Sequence, residues 1–287
     1  MDTQITQEED QWLLLRFKVF EQQIADAFRV FRANNIEPVL IKGWAASLKY
    51  PRKHRRTFSD IDLAVDPRQY ETALEIVETN NLIVDLHKSL RHLDTLEWEK
   101  LFENSVLCKV DETDVRILSE EDHLRVLCVH WLTDGGAYRE KLWDIYYAVE
   151  NRDPNFDWNL CLNVVSSKRR LWIIYTIGLA HRYLNLDVSK LSFREEILDF
   201  PKWLIKAVES EWSSPVKLRP IHSCINDKKE FLRQILKRIP PNAIQATIEM
   251  EGDFDNRSRI MYQIKSFRNR FNESFKRNLM TKSTKKK

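Results

Sequence analysis

Glycine is scarce in this chain, with five among 287 residues. Together with long stretches of three-to-four-residue apolar periodicity, that scarcity points to a helix-rich protein. No Walker loop, His-Glu-x-x-His, Gly-x-Ser-x-Gly or dinucleotide-binding glycine pattern is present, which removes the commonest motif-borne chemistries. The four cysteines (Cys108, Cys128, Cys161, Cys224) lie far apart and make no Cys-x-x-Cys. Their spacing argues against a zinc ribbon and gives no sign of a disulfide framework. The longest apolar run, Leu171 to Ala180, is ten residues, about half of what a membrane span needs. Met1-Asp2 opens a polar, acidic stretch with no signal-peptide pattern, so the expected location is a reducing cytoplasm.

Charge of one sign is also lacking overall. The formal net charge of +3 is too small to argue for nucleic acid, but its distribution is uneven. Residues 252–287 carry eleven Lys or Arg against three acids, a net of +8, which leaves −5 for the rest. Charged residues at 31% and apolar residues at 43% describe an ordinary folded protein long enough for two domains.

Leu13, Phe17, Phe20, Ile24, Ala27 and Phe31 repeat at helical spacing, and Asn34-Asn35 ends that helix. Pro38 to Ile41 reads as a short buried strand running into Gly43, and Trp44 to Tyr50 as a brief helix stopped before Pro51. A basic loop, Arg52 to Arg56, leads to the strand Ile61 to Val65. Asp66-Pro67 reads as a helix start with aspartate as cap, and Leu82 to His87 as the next strand. Residues 105–110 and 115–118 flank a probable-turn sequence, Asp111 to Asp114, as in a hairpin. Ser119-Glu120-Glu121-Asp122 resembles a capping box. Beyond it only helical patterns follow, over 120–133, 139–151, 158–165, 168–184, 193–211, 227–237 and 257–280.

The chemistry concentrates in Lys42-Gly43 and Asp60-Ile61-Asp62. A lone glycine after an apolar run marks a tight strand-to-helix turn, whose free N–H groups attract phosphate. An Asp-x-Asp on a strand puts both carboxylates on one face, where they repel unless something cationic lies between them. A magnesium-bound nucleotide suits that place. If the strand carrying Asp85 lies beside the one carrying Asp62, a three-carboxylate cluster forms that could hold two magnesium ions for in-line phosphoryl displacement. The bland alternatives are a solvated Asp-x-Asp and, for Asp85, a structural salt bridge to a loop arginine. Arg56 and Ser59 could reach phosphate or simply be solvated. His87 shares the face of Asp85, as an acceptor-orienting group, a base or a merely buried histidine. His123 and His130 read as packing residues facing the first domain, with contact between His130 and the acceptor as the alternative, and the nine tryptophans as core rather than a stacking platform.

The arrangement Gly43, Asp60-x-Asp62, Asp85 resembles the polymerase-beta-type nucleotidyltransferase superfamily. Ile41-Lys42-Gly43, Arg56-x-x-Ser59-Asp60-Ile61-Asp62-Leu63 and Val84-Asp85-Leu86-His87 are similar to one bacterial group in it, the "uncharacterised nucleotidyltransferase" family, related to the AbiEii-type and minimal nucleotidyltransferases. The likeness extends through Val115 to Ser119, Leu127 to His130, Leu142 to Ile145 and Asp157-Trp158, so it covers residues 11 to 185. It implies transfer of a nucleoside monophosphate from an NTP to an acceptor, with release of pyrophosphate. Asp60, Asp62 and Asp85 would hold the metals, Asp85 would also help deprotonate the acceptor, and the turn at Gly43 would face the triphosphate. The superfamily usually has Ser or Thr after this glycine, whereas here Trp44 follows, and Lys42 could supply the charge instead.

The expected fold is thus α+β, with an N-terminal nucleotidyltransferase α/β domain on a small mixed sheet (residues 1–118) and a helical domain with a basic C-terminal helix and tail (119–287). The expected function is magnesium-dependent nucleotidyl transfer to a small molecule, protein or RNA. The alternative is a non-catalytic nucleotide- or RNA-binding regulator on the same fold. Ile260, Ile264, Phe267, Phe271, Phe275 and Leu279 give the last helix an apolar face and a cationic back. It could contact RNA, DNA or an anionic membrane, or pack on the body with a solvated end ending in Lys285-Lys286-Lys287.

Overall fold

The computed structural model describes residues 7–51, 56–90 and 96–284, with side chains described between Gln11 and Asn272 within those ranges. Most of the basic loop, Arg52 to Arg55, and Lys285 to Lys287 lie outside the described residues, as do the side chains of Phe275 and Leu279. The architecture is α+β. Helix α1 (Gln7–Ala33) precedes β1 (Val39–Leu40), α2 (Trp44–Ser47), β2 (Asp62–Val65), α3 (Tyr70–Thr79) and β3 (Asp85–Lys88). Helix α4 (Trp98–Asn104) then leads to the hairpin β4 (Val106–Val110) and β5 (Thr113–Ile117).

The five strands form one mixed sheet in the order β3-β2-β1-β5-β4. β1 runs antiparallel to β2 and parallel to β5, whereas β2 and β3 are parallel. Both sheet faces are covered. Leu40, Leu63 and Val65 pack with Ile24, Phe28 and Phe31 of α1 on one side. Val39, Ile41 and Ala64 pack with Trp98 and Leu101 of α4 on the other. That two-sided burial is why β2 is apolar after Asp62 without alternation.

The rest is helical: α5 (Glu120–Thr133), α6 (Leu142–Glu150), α7 (Trp158–Leu162), α8 (Ser167–Leu184), α9 (Arg194–Leu198), α10 (Lys202–Ser213), a 3-10 turn (Ile221–Cys224), α11 (Lys228–Lys237), α12 (Ala243–Glu249) and α13 (Ile260–Thr284). α8 supplies the centre of this part's core, where Trp172, Ile174 and Ile177 meet Trp131 of α5 and Ile145 of α6. No helix among the described residues is long and apolar enough to cross a membrane.

Several sequence expectations need correction. α3 starts at Tyr70, not at Pro67, because the Asp66 carboxylate accepts from Arg68 N–H (2.8 Å) and closes a turn ahead of the helix. The third strand begins at Asp85, and Ile83 is 72% exposed, since residues 82–84 carry the chain from the end of α3 to a sheet edge. The helix expected over 193–211 is two helices, broken where Pro201 cannot continue the first. α4 and α12 have no counterpart in the sequence reading. Ser119 does cap α5 by accepting from Asp122 N–H, but the Asp122 carboxylate pairs with Arg125 instead of closing the box. Both partners of that pair are wholly buried.

Candidate functional site

The parallel register of β2 and β3 sets Asp62 directly opposite Asp85. Their side chains therefore leave the sheet on the same face, and His87, two residues on, joins them there. Ligand-capable atoms of Asp62, Asp85 and His87 all lie within 4.8 Å of one another. Asp62 is buried and Asp85, on the edge strand, is exposed. Asp60 precedes the strand, is exposed, and lines the same cavity outside that compact cluster. Ser59 donates to its carboxylate at 3.4 Å.

Asp62 already has two hydrogen-bonding neighbours, one of them cationic. Lys42 Nζ lies 2.8 Å from its Oδ1, and His87 Nε2 donates to the same oxygen at 2.9 Å. Burial pushes the Asp62 carboxyl up, but the His87 hydrogen bond and the Lys42 ammonium outweigh it and hold the group at about 2. Asp62 is a carboxylate at any physiological pH. Two hard carboxylate oxygens and an imidazole nitrogen, close together at the mouth of a cavity, fit a divalent cation such as magnesium or manganese. A cation there would take over the compensation that Lys42 gives Asp62.

Gly43 has φ +58° and ψ −106°, and a Cβ there would stand 3.3 Å from the Asp60 carbonyl oxygen. Any L side chain would be strained by the positive φ, and the turn must also pass close to the Asp60 backbone. Gly43→Ala is expected to destabilise the protein by about 1–2 kcal/mol and to weaken NTP binding by displacing Asp60. Equilibrium denaturation and NTP titration on the same variant check both parts. α2, which follows, is a single turn, so its dipole adds less for phosphate than a long helix would. Trp44 is buried and its Nε1 donates to Glu21 at 3.2 Å, so the residue after the glycine serves packing.

Helices α5 and α6 close the other side of a cavity of about 710 Å³, a size typical of small-molecule sites. Trp143 and Tyr147 of α6 line it with their rings stacked at 5.5 Å, and Tyr50 packs on Tyr147 at 4.5 Å. Arg56 lines the cavity and is not a solvated loop residue. Its Nε and Nη2 donate to the two carboxylate oxygens of buried Asp144 at 2.6 and 2.8 Å, and Tyr50 Oη donates to Oδ1 at 2.7 Å. The loop leading to Asp60 is thereby fastened to α6. Burial and the Asp144 charge push the Tyr50 phenol far up, so it remains a donor. Asp144 falls within the Leu142 to Ile145 stretch of the likeness, but nothing in the sequence tied it to Tyr50 and Arg56, 94 and 88 positions away.

His130 also lines the cavity, correcting its reading as a packing residue. Burial, then Lys42 and Lys141, push it down to about 3, so it is neutral at neutral pH. His123 sits behind the Asp144 node, buried with no partner for Nε2 among the described residues, and burial takes it down to about 4. Its folded value lies below the unfolded value of about 6.5, so the unfolded chain binds the extra proton. The stability it contributes is complete above pH 6.5 and is lost as pH falls toward 4, about 3 kcal/mol in all. Thermal midpoints measured from pH 7.5 to 4 are expected to fall more steeply for the wild type than for His123→Asn. Equal slopes would contradict this assignment.

Compared with known protein families, residues 11–83 match the model described as "Uncharacterised nucleotidyltransferase". The match takes in Lys42, Gly43, Asp60 and Asp62 and stops two residues short of Asp85. No curated protein and no solved structure matches the chain.

Proposed function

The match supports a nucleotidyltransferase family assignment and a general role in nucleotidyl transfer, with an NTP as substrate; from this premise we propose that the chain is a divalent-metal-dependent nucleotidyltransferase that moves an NMP from an NTP to an acceptor and releases pyrophosphate. The observation that carries the reading is the Asp62–Asp85 register across β2 and β3, which faces the Gly43 turn in one cavity.

Asp62 and Asp85, with Asp60 alongside, would hold magnesium, the sequence expectation being two ions, and His87 completes the compact part of the donor set. When bound, the metal supplies charge to the phosphoryl oxygens and lowers the cost of alkoxide formation at the acceptor. The residues themselves have separable tasks. Gly43 lets triphosphate approach the backbone because no Cβ intervenes. Lys42, paired with Asp62, offers its ammonium to triphosphate oxygens once nucleotide enters. Trp143, backed by Tyr147, gives a flat apolar wall suited to a nucleobase. Asp85, exposed at the sheet edge, is placed to take the acceptor's proton as the acceptor oxygen or nitrogen bonds to the α-phosphorus and pyrophosphate departs. Arg56 acts through Asp144, holding the loop that carries Ser59 and Asp60. The helices from Ser119 onward, read as a second domain, would shape the acceptor pocket.

A non-catalytic nucleotide-binding role has one observation in its favour, the ammonium of Lys42 already seated on Asp62. Calorimetric titration of each NTP, with and without magnesium, into the wild type and an Asp60→Ala/Asp62→Ala variant tests the proposal. Magnesium-dependent binding to the wild type that vanishes in the variant is expected. Absence of binding by any NTP to folded wild type would overturn it, and binding without pyrophosphate release from any acceptor mixture would favour the non-catalytic role.

A further inference from the structure

Two helices at opposite ends of the chain leave apolar stripes uncovered. α13 packs on the body by its polar side. Gln263 Nε2 donates to the Pro241 carbonyl at 2.7 Å, Ser266 Oγ to Glu249 at 2.5 Å, and Arg270 forms an ion pair with Glu249 at 2.6 Å. With that side held inward, Ile260, Ile264, Phe267 and Phe271 face solvent at spacings of four, three and four, 43–63% exposed. In α1 the later turns bury Ile24, Phe28 and Phe31 against the sheet, whereas Trp12, Leu15 and Val19 stay 48–65% exposed at spacings of three and four. Both stripes follow one narrow seam of a helix, the pattern that packs against another helix.

Their charges are opposite. Residues 1–19, through the end of the α1 seam, contain four acids against Arg16 and Lys18, a net of −2, and residues 252–287 carry a net +8. The two seams do not cover each other within one chain, because both are exposed.

We infer that the seam of α1 in one copy of this chain lies along the seam of α13 in a second copy. Pairing α13 with α13 would set +8 against +8, whereas α1 on α13 joins opposite charges as well as apolar surfaces. Aliphatic side chains such as Ile260 and Ile264 neither stack on bases nor bond to phosphate, which disfavours nucleic acid as the occupant. A two-fold axis makes the contact twice and closes it as a dimer.

Mixed-cysteine cross-linking tests the inference. Chains carrying only Trp12→Cys are mixed with chains carrying only Phe267→Cys and oxidised, with each chain alone as control for Cys108. A covalent species of twice 34.3 kDa, 68.6 kDa, is expected from the mixture and not from either chain alone. Light scattering should give the same mass for the wild type, and Phe267→Asp/Phe271→Asp should weaken dimerisation at least about 30-fold with helix content unchanged. Lys265→Glu/Arg268→Glu, which leaves the apolar seam intact, should also weaken it, most at low salt. A wild type of 34.3 kDa at about 100 μM, far above a micromolar dissociation constant, would overturn the inference. So would a dimer indifferent to both variant pairs. A monomer that binds anionic vesicles or RNA through Phe267 and Phe271 would equally overturn it, assigning the stripe to another partner.

Discussion

Asp62→Asn is expected to reduce nucleotidyl transfer by about 10³-fold, the upper range for loss of a single electrostatic contact at a reaction centre. The change keeps the shape of the side chain and removes the charge that faces both Lys42 Nζ and His87 Nε2. An amide can accept a hydrogen bond from either, so packing survives, but it cannot offset a divalent cation. NTP affinity in the presence of magnesium should therefore fall with turnover, while affinity without magnesium changes little. Thermal unfolding supplies the control: Lys42 is nearly buried and loses its counter-ion, so a modest decrease is expected, not collapse. A variant with unaltered magnesium-dependent binding would remove Asp62 from the metal site. The same loss from Asp85→Asn, at a side chain 60% exposed, should come with no stability change, which separates the chemical role from the structural one.

Asp144→Ala is expected to have the largest effect on stability, about 3–5 kcal/mol. The loss of Asp144 strands the Arg56 guanidinium, whose side chain is 15% exposed, and removes the acceptor of the Tyr50 hydroxyl. A buried cation without its partner costs more than the pair contributed. Replacing both residues, as Arg56→Met/Asp144→Leu, should accordingly recover part of the loss, because no uncompensated charge remains. Urea denaturation of the three proteins measures this directly. A single variant within about 1 kcal/mol of the wild type would mean that the node is solvated and does not fasten the loop. The double variant also has a functional reading. With the loop carrying Asp60 untied from α6, KM for NTP should rise while the Asp62–Asp85 pair remains intact.

What could be read in the sequence follows from how local each signal is. The period of two in a strand put Asp62 on a defined face, and an apolar run ahead of Asp85 suggested a neighbouring strand. Their observed register needed only that one assumption about adjacency. Gly43 was equally legible, because a lone glycine between strand and helix has few other reasons to be there, and φ is indeed positive. Arg56 and Asp144 could not be paired, since nothing in a sequence links positions 88 apart that meet only once α6 packs on the loop. The periodicity of α6 made Trp143 and Tyr147 helical without showing that their side lines the cavity. The same reason left His130 divided between packing and acceptor contact. The stripe of α13 was visible as a period, but its outward direction was not, because the inward side is held by Ser266 and Arg270 on Glu249. Periodicity reports that a helix has an apolar side, and tertiary contacts decide whether that side is covered.

The most direct test of the central claim is anomalous diffraction from crystals grown with manganese and a non-hydrolysable NTP analogue. Manganese is expected on the carboxylates of Asp62 and Asp85, with the triphosphate against the Gly43 turn and Lys42 turned from Asp62 toward it. Nucleotide bound elsewhere, or bound here with Lys42 still on Asp62 and no metal between the carboxylates, would contradict it.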